Sequence, residues 1–148
     1  NMEAKRAMAM ASLQAGLAFS NAILGAVHAM SHQVGGLIDA PHGEINAILL
    51  PYVLEYNYLA APEKYKNIAE ALGENVAGKS LHEASRLAMK AVKELASDLE
   101  IPVRLSALGM TEEQVEVISR HSIQDACIVT NPRDMTVEDV KELFRKAL

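Results

Sequence analysis

Small apolar residues recur at helical spacing through the start of the chain: Ala4, Met8, Ala11, Ala15, Ala18 and Ala22 stand four or three residues apart and so share one helical face. Side chains this small let the face pack close against another helix. Strand signals are scarce, with aromatics at 4%, no tryptophan, and no Asn-Gly or Asp-Gly between alternating runs. Helix starts are frequent. Ser80 with Glu83, Thr111 with Gln114 and Thr136 with Asp139 each place a hydroxyl where it caps a helix and a side chain three residues later that reaches back. Pro62 suits a first helical position, while Pro102 and Gly109 punctuate the connector after a long helix. The pattern predicts an all-α fold with helices at roughly 3–20, 22–34, 43–57, 62–72, 80–99, 111–127 and 136–147. Residues 7–30 are Ala-rich and nearly uncharged while the remainder is charge-rich, which predicts that the first segment is central and the later helices surround it.

Composition narrows the function classes. A chain of 148 residues buries roughly 70% of its unfolded surface as one domain, and no linker divides 1–148. The net charge of −5 offers no basic field, so a nucleic-acid role is not expected. One cysteine, Cys127, cannot form an internal disulfide, which suits a reducing, cytoplasmic compartment. The apolar stretches Gly16–Met30 and Ile45–Leu54 are too short or too interrupted for the roughly 20 residues of a spanning helix. No membrane segment is expected. The chain opens directly on a helical pattern, as a piece of a longer protein would. Gly35-Gly36 falls far short of a dinucleotide fingerprint, so any nucleotide cofactor would be bound by another domain.

Chemistry concentrates in residues 28–43, HAMSHQVGGLIDAPHG, which hold three of the five histidines. His28 and His32 are four apart, share a helical face with about 6 Å of rise between them, and could ligate one ion. His28 and His42 would lie about 21 Å apart on an unbroken helix, too far to share one. Gly35-Gly36 and Pro41 supply the reversal that could return His42 to His28. Asp39 is a weaker ligand candidate, since an acidic residue near a proline turn commonly serves the turn itself. His82 and His121 sit in charged amphipathic helices and read as solvated surface residues.

The segment GLAFSNAILGAVHAMSHQVGGLIDAPHGEINAILLPYVLEYN is similar to the signature of the iron-containing alcohol dehydrogenases. IPVRLSALGMTEEQV and DACIVTNPRDMTVEDVKELFRKAL resemble that family's closing helices, so the likeness covers essentially the whole chain. It implies the helical C-terminal domain of the dehydroquinate synthase-like fold, whose partner is an N-terminal dinucleotide-binding domain, with a metal in the cleft between the two. By this resemblance His28 and His42 are metal ligands, and the remaining aspartate and histidine ligands precede Asn1. His32 is then a proton relay and cofactor contact rather than a ligand. Phe19 and Leu24 resemble residues bordering the nicotinamide, and Phe19 and Cys127 residues of the alcohol pocket; ordinary core packing is the competing account for Leu24 especially. Asn131-Pro132-Arg133 more simply ends a helix and fixes the next turn.

The implied reaction is reversible hydride transfer between a small alcohol and NAD or NADP, giving an aldehyde or ketone. Iron(II) is the metal the resemblance implies, although imidazole and carboxylate ligands also accept zinc, nickel, cobalt or manganese. A homo-oligomer is expected for the complete enzyme, and no catalysis for this segment alone. Two alternatives compete: a glycerol dehydrogenase or dehydroquinate synthase relative, and a helical binding domain whose histidines are structural. The sequence HAMSHQVGG followed by APHG argues against the first.

Overall fold

The computed structural model describes residues 1–148 and is helical throughout, without a strand: α1 (Met2–Ala22), α2 (Ala26–Gly35), α3 (His42–Asn57), α4 (Pro62–Ala71), α5 (Leu81–Asp98), α6 (Glu112–Gln124) and α7 (Val137–Ala147). Short 3₁₀ turns occupy Tyr58–Ala60, Leu105–Leu108 and Ala126–Thr130. All three capping boxes form: Ser80 N–H donates to Glu83 at 2.8 Å, Thr111 N–H to Gln114 at 2.9 Å and Thr136 N–H to Asp139 at 2.8 Å. Each satisfies a backbone donor that a helix start otherwise leaves unpaired. Pro62 opens α4, where its missing N–H costs nothing. Gly109 ends the second 3₁₀ turn at φ 98°, a left-handed backbone that a Cβ would strain.

The main core lies where α2, α3, α6 and α7 meet. Ala26, Met30 and Val34 of α2, Ile45, Ile48, Leu49 and Val53 of α3, Val115 and Ile118 of α6, and Val140, Leu143, Phe144 and Ala147 of α7 are buried together. Each set repeats at three and four residues, so each helix turns one stripe inward. Leu105 plugs the same core from its 3₁₀ turn. Burying each larger side chain contributes about 1.5–3 kcal/mol, which fixes α2 against α3. A second cluster joins α4 to α5, where Tyr65 and Ala69 meet Ala84 and Ala88. The small residues allow close approach, and the Tyr65 hydroxyl donates to Leu54 O of α3 at 2.8 Å.

Two expectations are corrected. The Ala-rich opening segment is not one central element: it breaks at 23–25, its two helices lie at 106° to each other, and only α2 enters the core. None of the residues of α1 is buried. Met8, Met10, Leu13 and Leu17 are all at least half exposed. Small residues at helical spacing made α1 ready to pack, but nothing else in this chain occupies its face. At the other end, α6 stops at Gln124 rather than running to 127. Asp125 takes extended backbone, and its carboxylate accepts the Cys127 N–H at 2.9 Å, opening the 3₁₀ turn Ala126–Thr130. Side-chain capping by aspartate competes with helix continuation at that point. No single helix is long and apolar enough to cross a membrane.

Candidate metal centre

The chain reverses between α2 and α3. Gly36 ends α2, Pro41 at φ −61° and ψ 125° caps the start of α3, and His42 becomes the first residue of that helix. The reversal places the three imidazoles together. Ring centroids are 5.4 Å apart for His28 and His42, 6.0 Å for His28 and His32, and 5.5 Å for His32 and His42. Asn46, one turn beyond His42, directs its side-chain amide nitrogen at His42 Nε2 (2.9 Å) and at His28 Nε2 (3.4 Å). The two Nε2 atoms thus converge on one point, the Asn46 amide group, whose Oδ1 is buried without a partner of its own. Burial, together with the neighbouring His42 and His32, holds the His28 imidazole below its ordinary pKa despite the opposing pull of Asp125. Neutral imidazole is the form that binds a metal.

His32 points elsewhere. Its Nδ1 lies 3.0 Å from Asp125 Oδ2, and Gln33 Nε2 approaches the same oxygen at 3.4 Å. Burial raises the Asp125 carboxyl, but the Cys127 N–H and the His32 imidazole outweigh it and hold the group below the ordinary carboxylate range. An ionised carboxylate accepts the proton on Nδ1, which leaves His32 Nε2 with its lone pair directed away from Asp125. Cys127, half-buried beside this pair, has its thiol pushed up by burial and by Asp125, so it stays protonated at neutral pH and is no activated nucleophile.

Asn131 holds the frame. Its amide and that of Asn57 exchange two hydrogen bonds of 2.8 and 2.9 Å, and its Oδ1 also accepts the Ala26 N–H at 3.2 Å. A side chain 105 positions away thus caps the helix that carries His28 and His32. Asn131→Ala is expected to destabilise the chain by about 2–3 kcal/mol, because the buried Asn57 amide and the first turn of α2 both lose partners. Chemical denaturation would measure it. A change below about 0.5 kcal/mol would show that water replaces the cap.

The remaining predicted positions scatter. Leu24 is not in the core cluster; it sits in the break between α1 and α2, half-buried, with its carbonyl accepting from the Thr130 hydroxyl. With Ile23, Val27, Leu50 and Leu54 it lines an apolar cleft of about 630 Å³ that reaches His28. Phe19 is 50% exposed on α1. Asp39 is exposed, and none of the hydrogen bonds or ion pairs to the histidines involves it. His82 and His121 are exposed, as their charged helices predict. Sequence alone did not point to Asn46, Asp125 or Asn131. The only cue was that Asn46 stands four residues after His42 on a helix, since the Asp125 and Asn131 contacts span about a hundred positions.

Comparison with known proteins identifies the family of the chain. The sequence profile of the Fe-containing alcohol dehydrogenase family, C-terminal, matches residues 1–148. The 1,3-propanediol dehydrogenase of Citrobacter freundii is 46% identical over 147 residues, which cover 99% of this chain and 38% of that protein. The NAD-dependent methanol dehydrogenase of Bacillus methanolicus is 39% identical over 148 residues, covering 100% of this chain and 39% of the relative. A solved 1,3-propanediol oxidoreductase superposes on all of this chain with a TM-score of 0.98 at 44% identity, again over 39% of its own length. The chain thus spans under two-fifths of the relatives it matches. A helical domain that brings two imidazole nitrogens to one side-chain amide, and that matches the family from its first residue to its last, belongs to the Fe-containing alcohol dehydrogenases as their C-terminal part.

Proposed function

We propose that the protein carrying this chain is an NAD- or NADP-linked alcohol dehydrogenase in which His28 and His42 hold a divalent cation through Nε2. The observation that carries the reading is their convergence on the Asn46 amide, with His28 kept neutral. Two imidazoles are half of a four-ligand shell; an aspartate and a histidine from an earlier helix of the longer protein complete it. The family name supplies iron, which we take as iron(II), and the donor set accepts zinc, nickel, cobalt or manganese as well. When bound, the cation supplies Lewis acidity that makes an alcohol hydroxyl acidic enough to ionise near neutral pH.

This chain's own residues do the rest. Asp125 keeps the His32 proton on Nδ1, so Nε2 can accept the proton that leaves the alcohol and pass it to solvent through the ring's exposed edge. The apolar cleft beside His28 gives the carbon chain of a small alcohol a dry wall, with Leu24 on its margin. Phe19 on α1 borders the cofactor and the alcohol, and Cys127 beside Asp125 borders the alcohol. The exposed apolar face of α1 is covered by the dinucleotide-binding domain or by a second subunit. With a single free cysteine, a reducing cytoplasmic location suits the chain.

The test uses the natural full-length protein purified without oxygen and reconstituted with iron(II). NADH or NADPH formation from ethanol, 1-butanol or 1,3-propanediol should require the metal and vanish on chelation. Metal-independent turnover, or none with any small alcohol and either cofactor, would overturn the reading.

A further inference from the structure

We infer that His32, Asp125 and Cys127 form a second metal site, distinct from the His28 and His42 pair, which takes a thiophilic divalent cation such as Zn²⁺ or Cd²⁺. One imidazole nitrogen, one carboxylate oxygen and the sulfur all lie within 4.8 Å of one another. A tetrahedral zinc ion with bonds of about 2.0–2.3 Å separates its ligand atoms by roughly 3.3–3.7 Å. The contact between His32 Nδ1 and Asp125 Oδ2, at 3.0 Å, is already near that edge length.

The second carboxylate oxygen is engaged by the Cys127 N–H at 2.9 Å, which fixes Asp125 and Cys127 relative to each other and leaves Oδ2 for the ion. Three protein ligands with an imidazole exposed on one side make an open site, with room for water at a fourth position. The donor set is also different in kind. Nitrogen, oxygen and sulfur together favour a borderline or soft cation, whereas His28 and His42 offer nitrogen alone.

Binding displaces two protons: that of the Cys127 thiol leaves to solvent, and that on His32 Nδ1 moves to Nε2, so the imidazole stays neutral. The second displacement removes the lone pair that a proton relay needs. On the dehydrogenase reading, occupancy of this site therefore stops turnover without touching the Lewis-acid metal. The binding itself does not rest on that reading.

The experiment titrates this 148-residue chain with Cd²⁺ and follows the ultraviolet charge-transfer absorption of a cadmium thiolate, then displaces the cadmium with Zn²⁺. One thiolate band saturating at one ion per chain is expected, and Zn²⁺ should abolish it. Cys127→Ser should lack the band. Asp125→Asn should keep it but bind at least about tenfold more weakly, as loss of a ligand or its support does. His28→Ala and His42→Ala should bind like the unmodified chain, and circular dichroism of each variant separates misfolding from loss of a ligand. Absence of the band in the unmodified chain would sink the proposal. So would a band insensitive to Asp125→Asn, which reports a lone thiol, or a band lost with His28→Ala or His42→Ala, which assigns the thiol to the other site. None of these readouts depends on alcohol turnover, so the second site and the dehydrogenase reading fail separately.

Discussion

Replacing His28 or His42 with alanine in the full-length, iron-reconstituted enzyme is expected to remove bound metal and turnover together, with turnover falling on the order of 10³-fold or more. Both imidazoles present Nε2 toward the Asn46 amide, at 3.4 and 2.9 Å, so each substitution deletes a ligand, while the third imidazole, His32, is held by Asp125 through Nδ1. Asp39 is exposed and makes no hydrogen bond or ion pair with the histidines, so it is not placed to substitute. The magnitude follows from the role: a Lewis acid is worth several kcal/mol of barrier, and about 4 kcal/mol corresponds to 10³ in rate. Elemental analysis gives metal per chain and steady-state kinetics gives turnover. Metal retained at wild-type level in both variants would show that the pair is structural. Asn46→Ala is the informative companion, because it removes only the amide donor and should leave metal content largely intact.

How legible this site was in the sequence depends on the distance over which each contact acts. Capping boxes and core stripes are local, set by spacings of three and four residues, and Ser80, Thr111 and Thr136 all start helices where their sequence places them. The return of His42 to His28 is also nearly local, because Gly36 and Pro41 break the helix between them. The position of α1 is not local at all. Its spacing of alanines states that it can pack, but not against what, and no partner for its face lies within the chain. Asp125 illustrates the same limit from the opposite direction. In the sequence it reads as one more polar residue near the end of an amphipathic helix; only the packing of α2 against α6 makes it the partner of a histidine 93 positions earlier. Aspartate capping that ends α6 at Gln124 is what frees its carboxylate for that contact.

His32→Ala in the same full-length enzyme is expected to separate the two roles within the cluster. The ring sits 5.5 Å from His42 yet turns Nδ1 to Asp125 and away from the Asn46 amide, so its loss should leave metal per chain near the wild-type value. Turnover should nevertheless drop by roughly 10²–10⁴, the range for losing a positioned acid or base. A pH profile makes the distinction sharper. With His32 present the alcohol proton leaves through the ring; with alanine hydroxide or buffer must take it instead, so the pH dependence of alcohol oxidation should differ between the two proteins. Asp125→Asn tests the tautomer directly. Its amide nitrogen can donate to Nδ1, which moves the imidazole proton to Nε2 and removes the lone pair, so turnover should fall with the ring and the metal still in place. Its side-chain oxygen can still accept the Cys127 N–H, so the 3₁₀ turn should survive. Loss of metal in His32→Ala, or unchanged turnover and pH profile in both variants, would remove His32 from the proton path and reduce the Asp125 contact to a strut between α2 and the turn that follows α6.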